Sequence, residues 1–207
     1  MTQPQGIWLD TPRMGRNLPE AGPLSERFQA DAQKVLARYP TKRSAVMSLL
    51  YLAQAEQRFV SNSAIREIAA LVELTPAEVA AVATFYTMFK RTPQGDWLVS
   101  VCTQPSCALA GGSELLARLA EELRCEVGGT SADGKISIEE VECLCACDGA
   151  PVFSLNYENY ERMTIDDAVA MVKAVREGRE PPAGARGEKP LDFEGSHRLL
   201  SGMESPR

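Results

Sequence analysis

Six cysteines carry most of the chemistry that this sequence offers: Cys102, Cys107, Cys125, Cys143, Cys145 and Cys147. Four residues separate Cys102 from Cys107, three separate Cys143 from Cys147, and 35 lie between the two pairs. Each pair falls in a loop that leaves an expected strand, so if those strands are neighbours in one sheet, four thiolates meet at one edge. Thiolates repel one another unless a cation shares their charge, and soft sulfur selects zinc, copper(I) or iron-sulfur clusters. Structural zinc sites favour tight Cys-x-x-Cys turns, whereas C-x4-C and C-x3-C span more ground, as a two-iron cluster with two sulfide bridges requires. A thiol-disulfide enzyme needs Cys-x-x-Cys at a helix N-terminus, and the chain contains none. Inert core thiols are the remaining alternative, and four cysteines in two loops match core packing poorly. Cys125, at the end of an amphipathic helix, reads as a small buried hydrophobe. Cys145, between two expected ligands, reads as a spare thiol or an alternative ligand.

The elements that must position these thiols follow from periodicity. Leu24, Phe28, Ala32, Val35, Leu36 and Tyr39 fall on one helical face, with Ser25 as cap and Pro40 as stop. A second helix is expected from about Lys42 to Arg58, and a third contains Ile65, Ile68, Ala69 and Val72. Thr75-Pro76-Ala77-Glu78 reads as a capping box with Pro76 in the first turn. The period then changes. Trp97 to Val101 is a short apolar run leading into Cys102, and Leu116, Leu119 and Leu123 mark a helix introduced by Gly111-Gly112. Val127 and Ile136 to Val141 flank Asp133-Gly134, which predicts a hairpin, and Val152 to Leu155 predicts one more strand. A last helix is expected from its cap Thr164 to Gly178, and beyond Pro181-Pro182 the Gly, Pro and charge-rich chain reads as a tail. The reading is therefore α+β: an N-terminal extension over 1–23, a helical segment over 24–92, a small layered domain over 93–180 and a tail over 181–207.

Composition removes several classes. With 207 residues, 44% hydrophobic and 24% charged, the chain is neither collagen-like, coiled-coil nor disordered, and six cysteines are too few for a disulfide scaffold. The most apolar stretches, 45–53 and 79–89, are about half the ~18 to 20 residues that a spanning helix needs. No secretory h-region precedes the first helix, so a reducing, cytoplasmic setting is expected. Residues 1–100 carry 11 basic and 9 acidic groups, whereas 101–180 carry 7 and 15, a net of −8 over the segment that holds every cysteine. That field argues against nucleic acid and disfavours adding an electron to any centre inside it.

The strings VATFYTMF (82–89), VCTQPSCALAGG (101–112) and VECLCACDGAPVFSLN (141–156) resemble the 24 kDa-type 2Fe-2S subunit, the E-type subunit of the bacterial enzyme, of NADH:quinone oxidoreductase, respiratory complex I. The resemblance spans roughly residues 25–180. It implies a helical bundle followed by a thioredoxin-like 2Fe-2S domain, with one cluster held by Cys102, Cys107, Cys143 and Cys147. It further implies no catalytic residue on this chain, FMN and NADH on a partner subunit, further iron-sulfur subunits, and a peripheral place on the inner face of the plasma membrane. The family usually has glycine where Cys145 stands, which suggests a positive φ or a close backbone approach there. No G-x-G-x-x-G follows a strand, so no dinucleotide site is expected. Glu139, Glu140 and Glu142 beside Cys143 predict a low potential. The aromatic run Phe85, Tyr86 and Phe89 is either a docking element or internal packing. Rival readings are a diaphorase subunit of an NAD-linked hydrogenase or formate dehydrogenase, a free-standing ferredoxin, and a zinc-stabilised interaction module.

Overall fold

Local signals build the helices cap by cap. In the computed structural model, which describes residues 18–204, Ser25 Oγ accepts the Phe28 amide at 3.2 Å and opens α1 (Glu26–Leu36). The helix stops before Tyr39, which lies outside it. A 3-10 turn, Lys42–Ala45, leads into α2 (Val46–Gln57), which is apolar nearly all round and buries Leu49, Leu50, Leu52 and Ala53. An all-round apolar helix is a central one. Helix α3 (Asn62–Val72) starts at Ser61 and α4 (Pro76–Phe85) at the expected Thr75/Glu78 capping box. Glu78 returns the bond by accepting the Thr75 amide at 3.0 Å. Gln54, fully buried inside this unit, is satisfied by backbone: its Nε2 donates to Met88 O at 2.9 Å, and its Oε1 accepts from the Lys90 amide at 2.6 Å.

The chain divides into two units. One runs to Pro93 and includes Leu200–Met203, and the other comprises Gln94–Leu199 and the residues from Glu204. The second unit has strands β1 (Trp97–Cys102), β2 (Ile136–Val141), β3 (Val152–Leu155) and β4 (Glu158–Glu161) in the order β2-β1-β3-β4. β1 runs parallel to β2 and antiparallel to β3, and β3 pairs antiparallel with β4. Between β1 and β2 lie α5 (Pro105–Leu109) and α6 (Gly112–Leu123); α7 (Ile165–Arg176) follows β4. Val99, Val101, Ile136, Ile138, Phe153 and Leu155 form one core with Leu115, Leu119 and Leu123 of α6 and Ala168 and Val172 of α7. Thr164 caps α7 by accepting the Asp167 amide at 3.1 Å.

The structure departs from the expectations in three places. The expected hairpin about Asp133-Gly134 forms, with Gly128 N donating to Ile138 O at 2.7 Å, Ile138 N to Gly129 O at 3.0 Å and Ser131 N to Ile136 O at 2.7 Å, but its first arm amounts to one bridge, Thr130 to Ser137, and Val127 is exposed. A second hairpin, β3–β4, is not among the expectations; its two turn residues, Asn156 (φ 45°) and Tyr157 (φ 76°), both take the left-handed backbone that a type I′ turn requires. The expected tail contains α8 (Phe193–Leu200), with Phe193 and His197 fully buried. His197 Nδ1 lies 2.6 Å from Phe193 O and its Nε2 2.9 Å from the Tyr157 hydroxyl. The segment is ordered because it seals the hairpin: Asn156 accepts the Leu98 amide and donates to Asp96 O and Leu191 O. Of the expected N-terminal extension, residues 1–17 lie outside the described residues.

Candidate metal centre

The parallel pairing of β1 with β2 sets Cys102, the last residue of β1, opposite Val141, two residues before Cys143. Both cysteine loops therefore leave the same end of adjacent strands. Cys102 Sγ donates to Glu142 O at 3.6 Å, tying the first loop to the second. The flanking carboxylates belong to the same seam: the Ser100 hydroxyl donates to Glu139 at 2.8 Å, and the Thr103 hydroxyl donates to Glu140.

The first loop is short and helical. Pro105 occupies the first turn of α5, where no amide is needed, and Cys107 sits inside that helix. Gly111 takes φ 94°, and a Cβ on Gly112 would stand 2.5 Å from Cys102 O and 2.9 Å from Cys107 O. Only glycine lets α6 start this close to both cysteine backbones. Cys102 and Cys107 are each 2% exposed and pack with Ala146 and Val152. The second loop is open: Cys143, Cys145 and Cys147 are all exposed, and Cys147 begins a 3-10 turn ending at Gly149. Cys145 has φ 57°, the left-handed backbone that the usual glycine suggested.

The thiols act on one another. Burial pushes Cys107 up to about 11, with Cys102 and then Cys147 adding to it. The Cys145 amide, 3.3 Å from Cys143 Sγ, holds Cys143 below the ordinary thiol range, with smaller contributions from the Cys145, Cys147 and Cys102 side chains. Cys145 is raised, chiefly by Cys143. The structure thus brings Cys102, Cys107, Cys143 and Cys147 together, with Cys145 among them. Cys125 stands apart; it packs partly buried against the core of the second unit and is raised by burial, with Arg176 opposing.

These donors fit a sulfur-ligated cluster. Among the described residues no three His, Cys, Asp or Glu side chains are arranged to hold a single ion. Soft thiolate donors from two loops at one sheet end have the chemistry of an iron-sulfur site. The short α5 helix and the exposure of the second loop carried little signal in the sequence; Pro105 was the one available cue.

A two-layer unit with paired cysteine loops at one end of β1 and β2 is the architecture of a small iron-sulfur carrier. The family description of thioredoxin-like [2Fe-2S] ferredoxins matches residues 32–176. The E-type subunit of NADH-quinone oxidoreductase from Mycobacterium bovis is 37% identical over 219 residues, covering 100% of this chain and 86% of that one. NADH-quinone oxidoreductase subunit 2 of Thermus thermophilus is 39% identical over 150 residues, covering 71% of this chain and 83% of that one. A crystal structure of an air-oxidised NAD+-reducing [NiFe]-hydrogenase superposes with a TM-score of 0.53 at 23% identity, over 61% of this chain and only 23% of the hydrogenase chain. This chain belongs to the thioredoxin-like [2Fe-2S] ferredoxin family, among the E-type subunits of NADH-quinone oxidoreductase that its three motif strings resemble.

Proposed function

We propose that the chain holds one 2Fe-2S cluster on Cys102, Cys107, Cys143 and Cys147 and works as the E-type subunit of an NADH:quinone oxidoreductase, beside a flavin- and NADH-binding partner. The observation that carries this reading is the parallel β1–β2 pairing, which gives both cysteine loops one origin. When bound, such a cluster supplies one-electron transfer. The chain's own residues hold the four sulfurs, bury two of them, and surround the second loop with carboxylates. Glu139 and Glu140 are fixed by Ser100 and Thr103, so their negative charge stays beside the site and opposes reduction.

The helical unit is the proposed docking element. Phe89 is buried and packs on Tyr51, but Phe85 is 77% exposed and Tyr86 is partly exposed beside it. Exposed aromatic anchors suit a partner surface. No single helix among the described residues is long and apolar enough to cross a membrane, so attachment to the inner face of the plasma membrane is assigned to the rest of the complex.

Anaerobic purification with a visible spectrum and iron, sulfide and zinc assays tests the cluster. Two irons and two sulfides per chain, with bands at roughly 400–550 nm that bleach with dithionite, support it; a colourless protein with one zinc overturns it. F85S in the tagged chain should then reduce recovery of the flavin-bearing partner while leaving the iron content unchanged.

A further inference from the structure

The segment after α7 folds back along the second cysteine loop. The Ala185 amide donates to Asn159 O at 2.7 Å, and the Tyr160 hydroxyl donates to Pro182 O at 2.7 Å, so residues 182–185 lie along β4. That path brings the Arg186 guanidinium to the turn carrying Cys147. Its Nη2 is 2.7 Å from both carboxylate oxygens of Asp148, the residue after Cys147, and 3.1 Å from Glu161 Oε2, while its Nε faces Glu161 Oε1. The Glu161 side chain is only 8% exposed. A Cβ on Gly149 would fall 2.1 Å from Glu161 Oε2, so this carboxylate fills the space that the glycine leaves in the 3-10 turn. Arg162 closes the other side, donating its amide to Gly149 O at 2.8 Å and its Nη2 to Asp148 O at 2.7 Å. Isolated surface ion pairs contribute little, but a planar fork spanning two carboxylates, one of them buried, is a network with fixed geometry.

We propose that Arg186 is a positioning residue for the cluster: through Asp148 and Glu161 it fixes the Cys147 turn, and by setting one positive charge between the two carboxylates it raises the reduction potential. The proposal rests on the cluster reading above. Reduction adds a negative charge, so losing the cation, which takes the local sum over Arg186, Asp148 and Glu161 from −1 to −2, opposes it. Neither effect requires Arg186 to touch a sulfur.

The test compares wild-type holoprotein with R186Q and R186K, using an EPR-monitored anaerobic redox titration and the rate at which an iron chelator bleaches the cluster. R186Q is expected to lower the one-electron equilibrium by about three- to tenfold, tenfold being about 59 mV for one electron, and to bleach several-fold faster. R186K keeps the charge but not the fork, so its midpoint should stay near that of the wild type while its cluster still bleaches faster. A wild-type midpoint in R186Q overturns the proposal, and so does wild-type bleaching in both variants. Should R186Q retain no cluster, R186K decides: faster bleaching supports the proposal and wild-type bleaching overturns it. Wild-type protein lacking iron and sulfide would overturn the cluster reading instead, a distinct failure.

Discussion

In the Cys102–Cys107 loop the thiols are buried and fixed by backbone, namely by the end of β1, the α5 helix and the glycine pair that starts α6. In the Cys143–Cys147 loop they are exposed, and its Cys147 end is held chiefly by side chains, with Arg186, Arg162, Glu161 and Asp148 gathered around one 3-10 turn. Backbone-held thiols cannot shift without disturbing the sheet. Side-chain-held thiols leave sequence room for tuning. The difference assigns stability to the first loop and electrostatic adjustment to the second.

The largest expected contrast is in thiol reactivity of the metal-free chain. With Cys107 at about 11, its thiolate at pH 8 is about one part in a thousand, so alkylation mapped by mass spectrometry should mark Cys143, Cys145 and Cys147 long before Cys107. Raising the pH towards 11 should narrow that gap, because the Cys107 thiol then ionises, but not close it, because the thiol stays buried; equal labelling at pH 8 would break the comparison. Next comes packing. G112A forces a Cβ into two backbone carbonyls and should cost about 3 kcal/mol in denaturant unfolding, whereas G149A meets the Glu161 carboxylate and Cγ, which can move only by opening the Arg186 fork, and should cost about 2 kcal/mol. A reversed order would remove the distinction between backbone and side-chain support. Smaller again, the E139Q/E140Q/E142Q triple variant should raise the midpoint potential by tens of millivolts, on the order of the 59 mV of a tenfold one-electron change, in a redox titration. An unchanged midpoint would sink the electrostatic account. The smallest effect belongs to C145G, which relieves a side chain at φ 57° and should stabilise the protein by about 1 kcal/mol in the same unfolding assay.

Much of this arrangement is legible in the residues. Trp97 to Val101 and Ile136 to Val141 are apolar enough to read as strands, and the cysteine spacing names their loops. The caps at Ser25, Thr75 and Thr164 stand where hydroxyls precede periodic runs. What escapes reading lacks a countable period. Helix α5 is five residues long, and β4 buries only Tyr160. Helix α8 hides in charge-rich sequence, although Asp192 caps it by accepting the Gly195 amide at 2.7 Å and Phe193 and His197 share a face. Arg186 carries no local signal at all, because its partners lie 25 and 38 residues away.

The sealing of the β3–β4 hairpin by α8 has a consequence for synthesis. The sheet is complete in sequence at Glu161, but the Phe193 amide that bonds Asp96 O and the Leu191 carbonyl that receives Asn156 come about 30 residues later. At the 5–20 residues per second of a translating ribosome this is roughly two to six seconds. Over that interval the nascent hairpin lacks two partners, the Leu191 carbonyl for the Asn156 amide and His197 Nε2 for the Tyr157 hydroxyl. Until α8 emerges, the turn relies on the bonds of Asn156 to Asp96 and Leu98, both made upstream.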